Sequence, residues 1–217
     1  MPKIDLNGRP QNLQRPGLYD RIAEVQNLAM KINGYRSSVA KYLRSLNLDI
    51  DPDSMVLDAG CGTGLVTLAF QEAGYRPKRI SAIDLSFRSL TVARDEFSQQ
   101  RRLEKRTDAL QANVLKMPFA DNTFDVVLMC GVLEYTPLDD GLSEAARVLK
   151  PGAPLVLLPV TPSIFGSVLE LLYNFKVHSL SSVQTAAGKY FKMVGNHKFP
   201  IIEPIAWSKT VFLLEKK

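Results

Sequence analysis

Residues 56–64 read Val-Leu-Asp-Ala-Gly-Cys-Gly-Thr-Gly, a carboxylate followed by three glycines at alternate positions. Such a run lets the backbone turn tightly and approach a ligand with no side chain in the way. It stands where a short apolar run gives way to helical spacing, the place at which open α/β sheets admit a nucleotide. Asp84 closes the next apolar run, about twenty residues on, where a carboxylate can hold the two hydroxyls of a ribose. The pattern is G-x-G-x-G, and Leu65 occupies the place of the third glycine of a dinucleotide site. No GxxxxGK(S/T) run is present, which excludes a P-loop. Asp58, inside the loop, would repel a phosphate and suits a cation such as the α-amino group of an amino acid. The chemistry is that of an adenosine joined to an amino acid.

These residues need a scaffold, and the apolar periodicity supplies one. From Tyr19 to Leu48 apolar residues recur at helical spacing, with Gly34 dividing two helices. Residues 49–54 form a turn. Strands are predicted at 55–58, 80–84, 109–114, 124–130 and 155–158, with helices at 65–73, 86–98 (capped by Ser86) and 138–149 between them. The tail carries an apolar helix at 163–175, a weak strand near 190–194 and a clearer one at 210–214. Apolar strands separated by helices imply a parallel sheet covered on both faces, with every strand's C-terminal end along one edge.

Composition agrees. A chain of 217 residues with 46% hydrophobic and 23% charged residues has the makings of one domain with a sizeable core. Its net charge of +5 is dispersed, whereas a nucleic-acid binder concentrates the excess on one face. The basic cluster at 101–106 reads as a solvated helix end. Two cysteines and two histidines build neither a disulfide framework nor a metal-ligand cluster. The N-terminus shows no signal core, so a cytoplasmic location is expected. Between Ala153 and Phe175 the single charge is Glu170, but Pro154, Pro159 and Pro162 break the stretch before it can span a membrane. Peripheral contact with a membrane surface stays open.

Four stretches in order carry a family resemblance. Residues 56–64 resemble the first motif of the class I S-adenosylmethionine-dependent methyltransferases, and Ile83-Asp84-Leu85-Ser86 is similar to their ribose-binding motif. Residues 113–119, followed by 121–125, resemble the DAxxLPFxDxSFD stretch of the small-molecule branch that includes the ubiquinone and menaquinone methyltransferases. Residues 144–152 resemble the helix and turn before strand five. Together they cover roughly residues 35–160. The resemblance implies a Rossmann-like, doubly wound, mostly parallel seven-stranded sheet with helices on both faces. It also implies one domain, with N-terminal lid helices (1–48), a cofactor-binding core (49–160) and a substrate-side segment (161–217).

It further implies S-adenosylmethionine as cofactor, with S-adenosylhomocysteine as product and no metal. Asp58, Gly60, Cys61, Gly62 and Gly64 would hold the methionine end. Asp84 would take the ribose hydroxyls and Leu85 would pack on the adenine. Asn113, where the family has Asp, would accept from the adenine amino group, with the Val114 N–H beside it. Cys130 and Gly131 would lie beside the sulfonium, and Tyr19 and Arg36 could reach the cofactor from the lid.

The sulfonium is an activated donor, so the protein's task is alignment and exclusion of water. Where a general base helps, Tyr135 (in the His place of an LEH segment), His178 and His197 are the candidates. The absence of an (N/D)PP(Y/F) motif after strand four disfavours base methylation of DNA or RNA. Apolar residues at Ile164, Phe165, Val168, Leu169, Leu172 and Tyr173 point to a small apolar acceptor, such as a quinone, lipid, terpenoid or polyketide. A non-catalytic cofactor-binding module and an RNA or protein methyltransferase are the rival readings. A short dehydrogenase is disfavoured by Leu65 and by the lack of a Tyr-x-x-x-Lys pair.

Overall fold

The structure is a computed structural model and describes residues 34–100, 105–163, 170, 175–200 and 202–217. Gly34–Lys217 forms the unit described here. The predicted lid helix before Gly34 and most of the apolar helix at 163–175 lie outside the described residues.

In chain order the elements are α1 (Tyr35–Ser45), β1 (Met55–Ala59), α2 (Leu65–Glu72), β2 (Arg79–Asp84), α3 (Phe87–Ser98) and β3 (Thr107–Gln111). There follow β4 (Val126–Cys130), a 3₁₀ turn (Leu133–Tyr135), α4 (Leu138–Val148) and β5 (Pro154–Leu158). The chain ends with α5 (Leu180–Tyr190), β6 (Phe191–His197), a second 3₁₀ turn (Pro204–Trp207) and β7 (Val211–Lys216). Local signals explain most boundaries. Ser86 caps α3 by accepting from the Ser89 N–H. Arg44 of α1 donates to the Glu72 and Ala73 carbonyls at 2.7 and 3.1 Å, satisfying the end of α2 and tying the two helices together.

Seven strands form one sheet in the order β3-β2-β1-β4-β5-β7-β6. The first five are parallel, and β7 pairs antiparallel with both β5 and β6. On one face Leu57, Val127, Met129, Leu155 and Leu157 belong to the same buried core as Leu142, Ala145, Val183 and Ala187 of α4 and α5. Burial of this alternating set pins the register, because a one-residue slip would turn every side chain to the other face.

Three expectations need correction. The third strand lies two to three residues earlier than predicted, since its pairing with β2 stops where β2 stops, at Asp84 opposite Gln111. The helix α5 was not foreseen, because it buries little more than Val183 and Ala187 and five of its eleven residues are Ser, Thr, Gln or Gly. Not every strand ends at the same edge. Running antiparallel, β7 brings its beginning there, together with Lys209, which bridges to Val160 at the end of β5.

Candidate active site

The strand order reverses between β1 and β4, and the loops after these strands define a crevice of the kind that binds nucleotides. Asp58 stands near the end of β1, 1% exposed. Its Oδ2 accepts from the Thr67 hydroxyl at 2.6 Å, while Oδ1 is buried and has no hydrogen-bond partner among the described residues. Burial pushes its pKa up from 3.8 to about 6, against the Thr67 bonds that lower it and with added repulsion from Asp84. A buried acceptor with nothing to accept is costly. An ammonium group would meet the need and restore the ionised form.

The glycine loop is built around Asp84. The Gly60 and Cys61 N–H groups both reach the Ile83 carbonyl at 2.8 Å, which closes the turn onto β2. Asp84 Oδ2 accepts from the Gly62 N–H and Oδ1 from the Ser86 N–H, each at 2.8 Å. Each oxygen keeps a lone pair for a hydroxyl. Burial raises the Asp84 pKa, opposed by the backbone bonds from Ser86, Gly62 and Leu85. Gly60 has φ +76°, and a Cβ there would lie 2.3 Å from Val132 Cγ2; Gly64 has φ +85° with Phe97 at 2.5 Å. Cys61 is buried and bonds back to the Gly62 carbonyl. Leu85 is 60% exposed, an apolar platform beside the Asp84 carboxylate. The residues present fit an adenosine carrying a cationic amino acid.

Asn113 and Val114 follow β3 at the same edge. Asn113 Oδ1 already accepts from the Leu115 N–H at 2.9 Å, so the amide is held by its own loop and can offer an adenine amino group no more than its second lone pair. Cys130 and Gly131 end β4. Gly131, at φ +65°, gives its N–H to the Leu158 carbonyl at 3.1 Å, and a Cβ there would meet Lys209 Nζ at 2.7 Å.

Other candidates fall elsewhere. Arg36 is turned away: its Nε donates to Glu72 Oε2 at 3.0 Å, at the far end of α2 and roughly 12 Å along the helix from the glycine loop. His197 ends β6, three strands from β4, or roughly 14 Å. There its ring packs on Tyr42, with centroids 4.5 Å apart. His178 places Nε2 3.2 Å from the Leu133 carbonyl, an acceptor that commits this nitrogen as donor and makes His178 a strut for the 3₁₀ turn. Tyr135 is 52% exposed, with its ring edge-to-face against Phe175 at 5.2 Å. Tyr19 lies outside the described residues.

Three residues not singled out from the sequence meet beside Cys130. They are Tyr35, whose hydroxyl bonds the thiol, Glu134, and Lys209. Burial drives the Tyr35 phenol well above its usual pKa, with Cys130 and Glu134 adding to the shift. Burial likewise raises the Cys130 thiol, which Lys209 opposes. Glu134 alone had a readable signal, an acid set between Val132-Leu133 and Tyr135 directly after an apolar strand.

Known proteins are consistent with this geometry. The "Methyltransferase domain" family matches residues 57–157. The demethylmenaquinone methyltransferase of Lactiplantibacillus plantarum is 31% identical over 141 residues, 64% of this chain and 56% of that one. The ubiquinone/menaquinone biosynthesis C-methyltransferase of Burkholderia mallei is 32% identical over 190 residues, covering 84% and 73%. The chain thus spans about half the length of the first of these relatives. Geranyl diphosphate C-methyltransferase from Streptomyces coelicolor shares the fold, with a TM-score of 0.69 at 18% identity over 83% of this chain and 77% of that one. This chain belongs to the class I S-adenosylmethionine-dependent methyltransferases. Within that class it resembles the ubiquinone and menaquinone C-methyltransferases.

A pH dependence follows. Folding raises the Asp58 pKa, so ionised Asp58 costs stability above about pH 6, and the cost disappears as pH falls toward 3.8. The two values differ by about 3 kcal/mol of interaction. Binding of an ammonium needs the ionised form. Affinity for S-adenosylhomocysteine is therefore expected to fall about tenfold per pH unit once below pH 6, measured by calorimetry from pH 7.5 to 5. Asp58→Asn should lose that slope.

Proposed function

We propose that this chain moves the methyl group of S-adenosylmethionine onto a small apolar acceptor of the phenol class, such as a reduced quinone. The observation that carries the reading is the unpartnered Oδ1 of Asp58, buried at the head of a glycine loop whose far side is fixed by Asp84. The cofactor supplies an electrophilic methyl group on a sulfonium. The protein's residues bind and orient it. Asp58 takes the α-ammonium, Asp84 the ribose hydroxyls, and Leu85 the adenine face. Cys130 and Gly131 bound the space at the end of β4, where alignment and exclusion of water do the remaining work.

The acceptor class rests on the quinone-methylating relatives and on the packed rings of Tyr135, after β4, and Phe175, after β5. A cytoplasmic location with peripheral contact to lipid, from which an apolar acceptor would be drawn, belongs to the same reading. Neither a metal nor a nucleic acid enters it.

The test is parallel calorimetric titration with S-adenosylmethionine, S-adenosylhomocysteine and NAD, followed by incubation with a reduced naphthoquinone and mass analysis of the product. Binding of both sulfur nucleosides but not NAD, with a gain of one methyl on the acceptor, is expected. Binding of NAD alone, or of nothing, would overturn the reading.

A further inference from the structure

Two carboxylates near Cys130 each have an oxygen with no partner among the described residues. Asp58 lies on the β1 side, and its Oδ1 is assigned above to the α-ammonium. Glu134 lies on the other side, 5% exposed and in the 3₁₀ turn that follows β4. Its Oε1 accepts from the Val160 N–H at the end of β5, and its backbone carbonyl accepts from the Lys176 N–H at 3.0 Å. Its Oε2 is buried and unpartnered among the described residues. The amino-acid end of the cofactor carries one ammonium, which leaves the second acceptor unmet. Glu134 is thus pinned by the segment that follows β5, at Val160 and Lys176, and not by the glycine loop.

We infer that Glu134 Oε2 receives the hydroxyl hydrogen of the methyl acceptor and takes its proton as the methyl group is transferred. The inference rests on the methyl-transfer reading above. A carboxylate oxygen accepts and does not donate, so its partner must carry an O–H or N–H; a phenol does. The O–H pair is released into the acceptor as its bond to the methyl carbon forms. The donor's S–C bond breaks, leaving a neutral thioether. One positive charge is lost from sulfur and one negative charge from Glu134, and Glu134 later returns the proton to water. When the methyl group goes to a ring carbon, Glu134 gives its proton back to the ring oxygen and takes the ring proton. Loss of the ring proton restores the aromatic system, and Glu134 then returns that proton to water.

The groups around Glu134 fit this role. Tyr35 from α1 is held neutral by burial and spends its hydroxyl on Cys130, so it orients and does not abstract. Cys130 is likewise kept as a thiol. Lys209, before β7, places a positive charge beside Cys130 and Gly131. Tyr135, the neighbour first expected to act, presents its ring to Phe175 instead.

The test has a binding arm and a rate arm. With wild-type protein saturated with S-adenosylhomocysteine, a dihydroxynaphthalene and its dimethyl ether are titrated by calorimetry. The diol should bind about tenfold or more tightly, since a buried acceptor left unpaired costs about 1–3 kcal/mol. Equal affinities would overturn the inference, and this arm needs no variant to fold. In the rate arm, Glu134→Gln keeps Oε1 for Val160 and should leave S-adenosylhomocysteine affinity unchanged. It should lower kcat about 100-fold or more on a weakly acidic phenol, with the deficit shrinking as more acidic phenols are supplied. An undiminished rate, the same deficit on every phenol, or lost S-adenosylhomocysteine affinity would each assign Glu134 another role. Failure of the methyl-transfer reading would look different: wild-type protein would not bind the sulfur nucleosides at all.

Discussion

Asp84→Ala is expected to abolish measurable binding of S-adenosylhomocysteine while leaving the fold in place. Two ribose hydroxyls donating to an ionised, largely buried carboxylate contribute about 1.5–3 kcal/mol each. Their joint loss corresponds to roughly a hundredfold to ten-thousandfold in affinity. Asp84 also holds the Gly62 and Ser86 N–H groups at 2.8 Å, so its removal loosens the loop that receives the amino-acid end. The fold survives because Asp84 ends a strand whose apolar residues, Ile80, Ala82 and Ile83, carry the packing. Removing a carboxylate whose ionised form is disfavoured by burial offsets part of what the backbone bonds lose. Calorimetry and circular dichroism on the same sample check both halves. A folded Asp84→Ala protein with unchanged affinity would move the ribose away from this residue.

Asp58 and Asp84 were legible in the sequence because their signal is local: each closes an apolar run, and one of them opens a glycine loop. The same holds for the Ser86 cap and for the start of α1 after Gly34. Legibility fails where tertiary pairing decides. At β3 the apolar run suggested a strand to Val114. As an edge strand, however, β3 is set by its partner, and it accepts Asp108 because Arg79 on β2 donates to that carboxylate from Nε and Nη2. The position of β7 between β5 and β6 could not be read at all, since a hairpin can add to a sheet by either strand. That choice is what delivers Lys209 to Gly131.

The site was accordingly half readable. Asp58 and the glycine loop are consecutive residues of one strand–turn–helix unit and Asp84 closes the next strand, so motif spacing reports them. Tyr35, Glu134 and Lys209 meet around Cys130 from separate elements, and no spacing links them. His197 shows the converse error: it reaches the correct edge of the sheet, but the inserted β7 sets it a further strand away from β4.

The glycine loop separates two meanings of a glycine, and substitution distinguishes them. Gly60→Ala should be among the most destabilising single changes in the chain. Its φ of +76° costs a side chain about 1–2 kcal/mol. A Cβ 2.3 Å from Val132 Cγ2 and 3.1 Å from Cγ1 adds an overpacking cost of about 1–3 kcal/mol. For a domain of this size the sum corresponds to a fall in Tm of roughly 5–15 °C. Gly62→Ala meets the same kind of backbone cost at φ +53°, but nothing lies within 4 Å of its Cβ, so its Tm should fall much less. The Gly62 methyl would instead project into the open space above the loop, and S-adenosylhomocysteine affinity should drop in a protein that remains folded. Val132→Ala added to Gly60→Ala should recover the overpacking share and leave the backbone share, a coupling that a double-mutant cycle reads directly. If Gly62→Ala lowers Tm as far as Gly60→Ala, or Val132→Ala restores nothing, the closeness of Val132 is not what excludes a side chain at Gly60. The requirement would then lie in the backbone alone.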